Sequence, residues 1–288
     1  MAPLTSVLGK AAVTSLVVAL CTTGASAQAA PQPLVADSGI AAAAVQLPPV
    51  PAVLDYQLGA AYTPPAGVTL VTRDSTATPA PGIYNICYVN GFQTQPEEHD
   101  LWLNQRKDLL VTGSNGKPII DPEWPDEFIL DTSTAAKRTR LAAIADEAIT
   151  RCSQRGFKGL EIDNLDSYSR SKGKLTVDHN LAYAKLLQQR AHALGLAIGQ
   201  KNSAEVSRRA RNEVGFDFAF AEECFAYEEC GDYSDVYGAL VMDVEYTDNL
   251  PKGPFSTVCR SSDRPATTTL RDRQLVGPNN GAYRYDHC

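Results

Sequence analysis

The chain has 288 residues, 44% hydrophobic and 20% charged, which is long enough for one large domain and too apolar for disorder throughout. Its 26 basic and 33 acidic residues give a net charge of −7 with no dense Lys/Arg block, and this excludes a nucleic-acid partner that needs phosphate neutralisation. An acidic protein is matched instead to a neutral or cationic ligand.

Lys10, the apolar stretch from Ala11 to Cys21 and the small residues Ala25-Ser26-Ala27 have the order of a secretory signal peptide, residues 1–27. Leu20 precedes Cys21 where a lipoprotein anchor would need a small residue. Removing the signal removes one Lys and takes the net charge to −8. No later run approaches the roughly 20 apolar residues of a membrane span, so the mature protein is expected to be extracellular, free of the membrane and monomeric. Residues 28–53, rich in Ala, Pro, Val and Gln, read as a spacer. Residues 54–288 then run on without a second linker, about the length of one (β/α)8 barrel.

Strand-like runs follow at Asp55–Leu58, Thr69–Arg73, Ile83–Val89, Phe128–Asp131, Gly159–Asp163, Leu196–Gln200, Phe216–Glu222 and Ala239–Tyr246. Leu141, Ile144, Ala145, Ala148, Ile149 and Cys152 mark one amphipathic helix, capped by Ser133 or Thr134 and stopped by Gly156. Asp178 to Leu194 marks a second, stopped by Gly195. Alternating strands and helices predict an α/β fold with a parallel sheet, and eight runs predict its closure into a (β/α)8 TIM-type barrel. An open doubly wound sheet is the alternative, but no G-x-G-x-x-G follows any strand.

Six cysteines remain after the signal: Cys87, Cys152, Cys224, Cys230, Cys259 and Cys288. An even set in an exported chain argues for three disulfides, with 15 connectivities open. The favoured pairs are Cys224–Cys230, Cys87–Cys152 and Cys259–Cys288. No C-x-x-C occurs and the four His are scattered, so no metal and no cofactor are expected.

Acids gather where strands should end. In Gly159–Asp163, Leu160 and Ile162 share one face, leaving Glu161 and Asp163 on the other, toward the barrel interior. Ala219–Cys224 and Met242–Tyr246 carry the same pattern with Glu222, Glu223, Asp243 and Glu245. Converging carboxylates repel, so one holds its proton, as glycoside hydrolysis requires of its acid and its nucleophile or base. There is no G-x-S-x-G and no H-E-x-x-H to support a serine or metallo-hydrolase.

Asp55-Tyr56-Gln57-Leu58, Tyr84–Asn90, Glu161–Tyr168, Gln200-Lys201-Asn202, Phe216–Ala219, Glu222-Glu223-Cys224 and Val244–Thr247 resemble, in order, the domain of glycoside hydrolase family 114. The resemblance spans about residues 54–288 and implies a TIM barrel without metal that cleaves α-1,4-linked galactosamine polymers. It carries the catalytic acids onto Asp163 and Glu222. Strand parity with Phe218 and Phe220 facing helices would aim Glu223 inward instead, but strand ends often bulge, so Glu222 stands first and Glu223 second. Asp163 is expected as nucleophile or base and Glu222 as acid/base of a retaining, endo-acting enzyme. Asp166, Glu245 and Asp131 would meet the ammonium groups of a partly deacetylated, cationic polysaccharide, and Tyr88, Asn90, Lys201, Asn202 and Tyr246 would orient the sugar. The competing expectation is a secreted barrel that binds carbohydrate without turnover.

Overall fold

The computed structural model describes residues 44–251 and 253–288; the expected signal peptide and residues 28–43 of the spacer lie outside them. Residues from Ala44 onward pack on the domain: Pro48 is buried, and the Gln46 carbonyl accepts from the Tyr84 hydroxyl at 2.7 Å.

Nine strands form one sheet in sequence order: β1 Leu54–Gln57, β2 Leu70–Asp74, β3 Tyr84–Asn90, β4 Gly159–Asp163, β5 Ala197–Lys201, β6 Phe218–Glu222, β7 Val241–Tyr246, β8 Thr267–Arg271 and β9 Tyr285–His287. The first eight pair in parallel; β9 runs antiparallel along β8. The helices are α1 His99–Gln105, α2 Ala135–Arg155, α3 Ser167–Arg170, α4 Val177–Ala193, α5 Ser207–Arg209, α6 Cys230–Tyr237 and α7 Phe255–Arg260. No helix separates β1 from β2 or β2 from β3, so the wall of helices is incomplete on that side.

The two long helices have the ends their sequences call for. The Thr134 hydroxyl accepts from Lys137 N to start α2, and Gly156 closes it at φ +94°, a conformation a side chain resists. Thr176 and His179 form a reciprocal capping pair at the start of α4. Leu141, Ile149 and Cys152 of α2 and Leu181, Ala184, Leu187 and Ala191 of α4 are buried in one core with Leu160, Ile162, Ile198, Ala219 and Ala221 of the sheet.

A second core fills the barrel: Leu54, Tyr56, Leu70, Ile86, Ala197, Phe218, Phe220, Met242, Val244 and Tyr246. This overturns the expected parity of β6. Phe218 and Phe220 point into the barrel and the small Ala219 and Ala221 face the helices, so Glu222 shares the inner face without any bulge. Gly199 is required by the same packing, since a Cβ there would lie 2.3 Å from the Phe218 ring. The parity of β7 is also opposite to expectation: Met242, Val244 and Tyr246 face inward, and Asp243 and Glu245 face out.

One expected strand is not in the barrel. Phe128–Asp131 belongs to an arm between β3 and α2 in which Gln93 bridges Ile129, Leu110 bridges Leu130 and Ile120 bridges Phe128. Val111, Ile119 and Ile129 give the arm a small core with Leu175. The strand that takes its place is β8, Thr-Thr-Thr-Leu-Arg, with an apolar content too low to stand out as a buried run.

The barrel is nearly closed. β9 occupies the edge of β8 that would otherwise pair with β1, and side chains make the join. Arg271, fully buried, donates from Nη1 to Asp55 Oδ1 at 2.9 Å and to the Tyr56 carbonyl. Ala52 N donates to Thr267 Oγ1 at 2.9 Å. The three disulfides are Cys87–Cys152, Cys224–Cys230 and Cys259–Cys288, the favoured pairing. They tie β3 to α2, staple the loop between β6 and α6, and fasten α7 to the C-terminus.

Candidate active site

Parallel strands carry their C-terminal ends to one rim, and the inward positions change chemistry along the way. The lower layers are apolar; the upper positions are Tyr88 on β3, Glu161 and Asp163 on β4, Lys201 on β5, Glu222 on β6 and Tyr246 on β7. All of these except the fully buried Glu161 open into a cleft of about 1040 Å³, which Glu127, Asp166, Glu223 and Arg273 also line.

Lys201 organises this rim. Its side chain is only 2% exposed, with Nζ 2.9 Å from Glu161 Oε1, 3.2 Å from Glu222 Oε2 and 3.5 Å from Asp163 Oδ1. Burial disfavours its charge, but the three carboxylates outweigh burial and hold its pKa well above the usual lysine value. Glu161 lies deepest; burial, opposed by Lys201, pushes its carboxyl up to about 7. Tyr56 OH donates to its Oε1 at 2.7 Å, while Oε2 has no partner.

The two expected catalytic acids are held differently. Asp163 accepts from Tyr88 OH at 2.6 Å and from Asn164 N at 2.7 Å. Glu222 accepts from Tyr246 OH and from Asn202 Nδ2 at 3.2 Å, and its own N–H donates to Asn202 Oδ1 at 2.9 Å. Burial raises the Glu222 carboxyl, but Lys201 and the donors from Tyr246 and Asn202 win, leaving it below the usual carboxylate range. The Lys201 distances limit the nearer Asp163 and Glu222 oxygens to a separation of roughly 6.7 Å at most, compatible with the closer spacing of retaining glycosidases.

A model of glycoside-hydrolase family GH114 matches residues 36–288. The chain belongs to glycoside-hydrolase family GH114. The fold is that of the crystal structure of Aspergillus fumigatus Ega3 in complex with galactosamine, at 19% identity and a TM-score of 0.65 over 85% of this chain and 98% of that one. It is also that of the glycoside hydrolase domain of PelA from Pseudomonas aeruginosa, at 13% identity and a TM-score of 0.51 over 77% of this chain and 95% of that one. No curated protein sequence matches the chain.

This GH114 domain is a glycoside hydrolase, and its structure brings most of the sequence-assigned residues to one place. Tyr88, Asp163, Asp166, Lys201, Asn202, Glu222, Glu223 and Tyr246 all line the cleft. Asp166 pairs with Arg170 at 2.6 Å. Glu223 pairs with Arg273 at 2.7 Å, and that guanidinium lies 4.4 Å from the centre of the Tyr246 ring. Asn90 stands behind the wall, donating to Glu127 Oε2 at 2.8 Å.

Two assignments are corrected. Glu245 is fully buried on the outer face of β7 and accepts from Phe225 N at 2.9 Å, while Asp243 beside it accepts from Cys224 N at 3.2 Å. Burial raises both carboxyls, and repulsion from Glu245 raises Asp243 further; the pair fixes the loop that follows Glu222 and lies outside the cleft lining. Asp131 is held by Lys137 at 2.5 Å and by Ser133 N at 3.0 Å, at the entry to α2. Two strand ends, not three, deliver carboxylates to the cleft.

Glu127, Trp124, Tyr227 and Arg273 were not legible as site residues, because loops deliver them. Trp124 and Tyr227 are 59% and 63% exposed on the cleft lining; exposed large aromatics were the one signal available. Cys224, Cys230 and Asp243 also converge, but the two sulfurs are bonded to each other, so the group offers no thiolate to a metal.

Proposed function

We propose that this GH114 domain is an exported, monomeric, endo-acting retaining hydrolase of α-1,4-linked, galactosamine-containing polysaccharide. The observation that carries the reading is the meeting of Asp163 and Glu222 through Lys201 at the barrel mouth. The cleft supports a cationic chain, since eight carboxylates line it against three cations. Its rim supports a polymer, since Trp124 and Tyr227 offer open aromatic faces to sugar rings. Three disulfides support an extracellular site of action, as does the lack, among the described residues, of any helix long and apolar enough to cross a membrane.

In the first step an Asp163 oxygen attacks the anomeric carbon while the glycosidic bond breaks, and Glu222 gives its proton to the departing oxygen. In the second, Glu222 takes a proton from water, whose oxygen attacks the same carbon and releases Asp163. Lys201 stays protonated throughout, its Nζ 3.5 Å from Asp163 Oδ1. Because Lys201, Tyr246 and Asn202 hold Glu222 ionised in the free protein, the enzyme must take up a proton before the first step.

The mature protein is to be incubated with galactosamine-containing and neutral galactan polymers, with product sizing and detection of the new anomer by NMR. Internal cleavage of the aminosugar polymer with retention is expected. Asp163→Asn and Glu222→Gln should each lower the rate by about 10²–10⁴ while remaining folded. Binding of the polymer without new reducing ends would identify a non-catalytic carbohydrate-binding barrel instead.

A further inference from the structure

Four of the eight carboxylates that line the cleft have a cationic partner; of the other four, Glu123 and Glu205 are exposed, and Glu127 and Glu229 are half-buried. Asp163 and Glu222 share Lys201, Asp121 and Asp166 share Arg170, and Glu223 has Arg273. Glu127 lines the same cleft, yet among the described residues no Lys, Arg or His lies within ion-pair distance of it.

Its surroundings are nevertheless built. The arm that carries it is clamped to the barrel, because Asp121 Oδ2 accepts from Arg170 Nε and from Gln93 Nε2, both at 2.5 Å. Arg170 Nη2 donates to Asn164 Oδ1 at 3.0 Å, and Asn164 Nδ2 donates to Asn90 Oδ1 at 3.0 Å. Gln93 N also donates to Asn90 Oδ1, at 3.1 Å. With Oδ1 thus engaged, the Asn90 amide must turn its NH₂ to Glu127 Oε2, at 2.8 Å. Among the described residues, no protein group donates to the second Glu127 oxygen. Trp124, three residues earlier on the arm, offers its open face to the same cleft.

The geometry points to Glu127, oriented by Asn90, as the acceptor of the primary ammonium of a deacetylated hexosamine unit, and so as the residue that selects free-amine over N-acetylated sugar. This inference rests on the carbohydrate reading of the cleft. An ammonium supplies the missing cation and a charge-assisted hydrogen bond, whereas an acetamide supplies no charge. The groups facing Glu127 agree. Burial is the largest effect and raises it; Asp163 on β4 and Asp121 on the arm raise it further, against the Asn90 donor and Arg170 on α3, and the carboxyl is pushed up to about 7. Below neutrality it therefore waits protonated and must release that proton as an ammonium arrives.

Calorimetry at pH 6, in two buffers of different ionisation enthalpy, tests this with a galactosamine oligosaccharide and its N-acetylated counterpart on the full mature protein. The wild type should release most of a proton on binding the amine ligand and none on binding the acetylated one. Glu127→Gln, which still accepts from Asn90, should abolish the release and weaken amine binding about tenfold, the value of one hydrogen bond to a charged group, while acetylated binding stays within about twofold. Equal loss for both ligands, unchanged amine affinity, undiminished proton release in the variant, or failure of the wild type to bind the amine ligand would overturn the inference. Proton-linked binding without cleavage would leave it standing and sink the hydrolase reading alone.

Discussion

Replacing Glu161 by Gln isolates the electrostatic cost of the deepest acid in the barrel. Glu161 is fully buried beneath Lys201, and its carboxyl rises from an ordinary value of 4.5 to about 7. A carboxyl whose pKa is higher folded than unfolded binds more protons in the native state across that interval. Its contribution is therefore fully present below about pH 4.5 and is lost as pH rises through about 7. Each unit is worth 1.36 kcal/mol, so the loss is about 3 kcal/mol. The variant removes this titration while its Oε1 still accepts from Tyr56 and Lys201. Glu127, Asp243 and Glu245 are also raised, but their slopes are common to both proteins and cancel in the difference. Lys201 stays charged over the whole interval. Urea unfolding at half-unit steps from pH 4 to 8.5 should show wild-type stability falling toward that of the variant, or crossing it, by about 3 kcal/mol. The variant's amide carries its own constant penalty, so the slope of the difference is the readout. A difference that stays flat across pH would refute the reasoning.

Two further outcomes are expected in other parts of the molecule. Arg271→Met strands the buried Asp55 carboxylate at the seam and should cost about 3–5 kcal/mol, read from the urea midpoint; a loss below about 1 kcal/mol would show that the seam does not depend on the pair. Because Glu222 begins ionised, kcat/KM should fall as pH rises from the acid side, and Tyr246→Phe removes a donor that favours the ionised form. That substitution raises the Glu222 pKa and should move the falling limb upward by about one pH unit; an unmoved limb would assign that limb to another group.

The legible parts of the fold were those in which one local signal decides the outcome. The β4 segment Gly159–Asp163 has bulky Leu160 and Ile162 alternating with acids, and its inward and outward faces came out as read. Thr134, Gly156 and Gly195 mark helix ends by chemistry that needs no tertiary context; the Thr176 cap of α4 was not read from the sequence. Strand β6 defeated the same logic because both of its faces are apolar. Large Phe218 and Phe220 fill the barrel, where Gly199 leaves room for a ring, and Ala219 and Ala221 let helices approach. Nothing in Phe-Ala-Phe-Ala says which side is which. In β7 the opposite assumption failed, since a buried acid pair on the helix side holds backbone N–H groups of the neighbouring loop rather than a ligand. The arm misled for a third reason. Phe128–Asp131 is strand-like and does pair, but only with its own arm, whereas the strand that completes the barrel is mostly threonine.

The seam explains why that last strand ends in so many charges. β9 takes the free edge of β8, so β1 has no backbone ladder to complete and Arg271 must span the gap with its side chain. The same arrangement fixes the chain beyond Arg271. Asp272 accepts from Val276 N at 3.0 Å and from Arg284 N at 3.2 Å, drawing both ends of the loop between β8 and β9 onto one carboxylate. Cys288, bonded to Cys259, anchors the far side of β9. Arg273 leaves that loop with little freedom, reaching Glu223 with two nitrogens and covering Tyr246, the donor to Glu222. A conventional ladder between β8 and β1 would leave no edge for β9 and no short return to hold Arg273. The incomplete closure is thus what lets the C-terminal segment support one wall of the cleft.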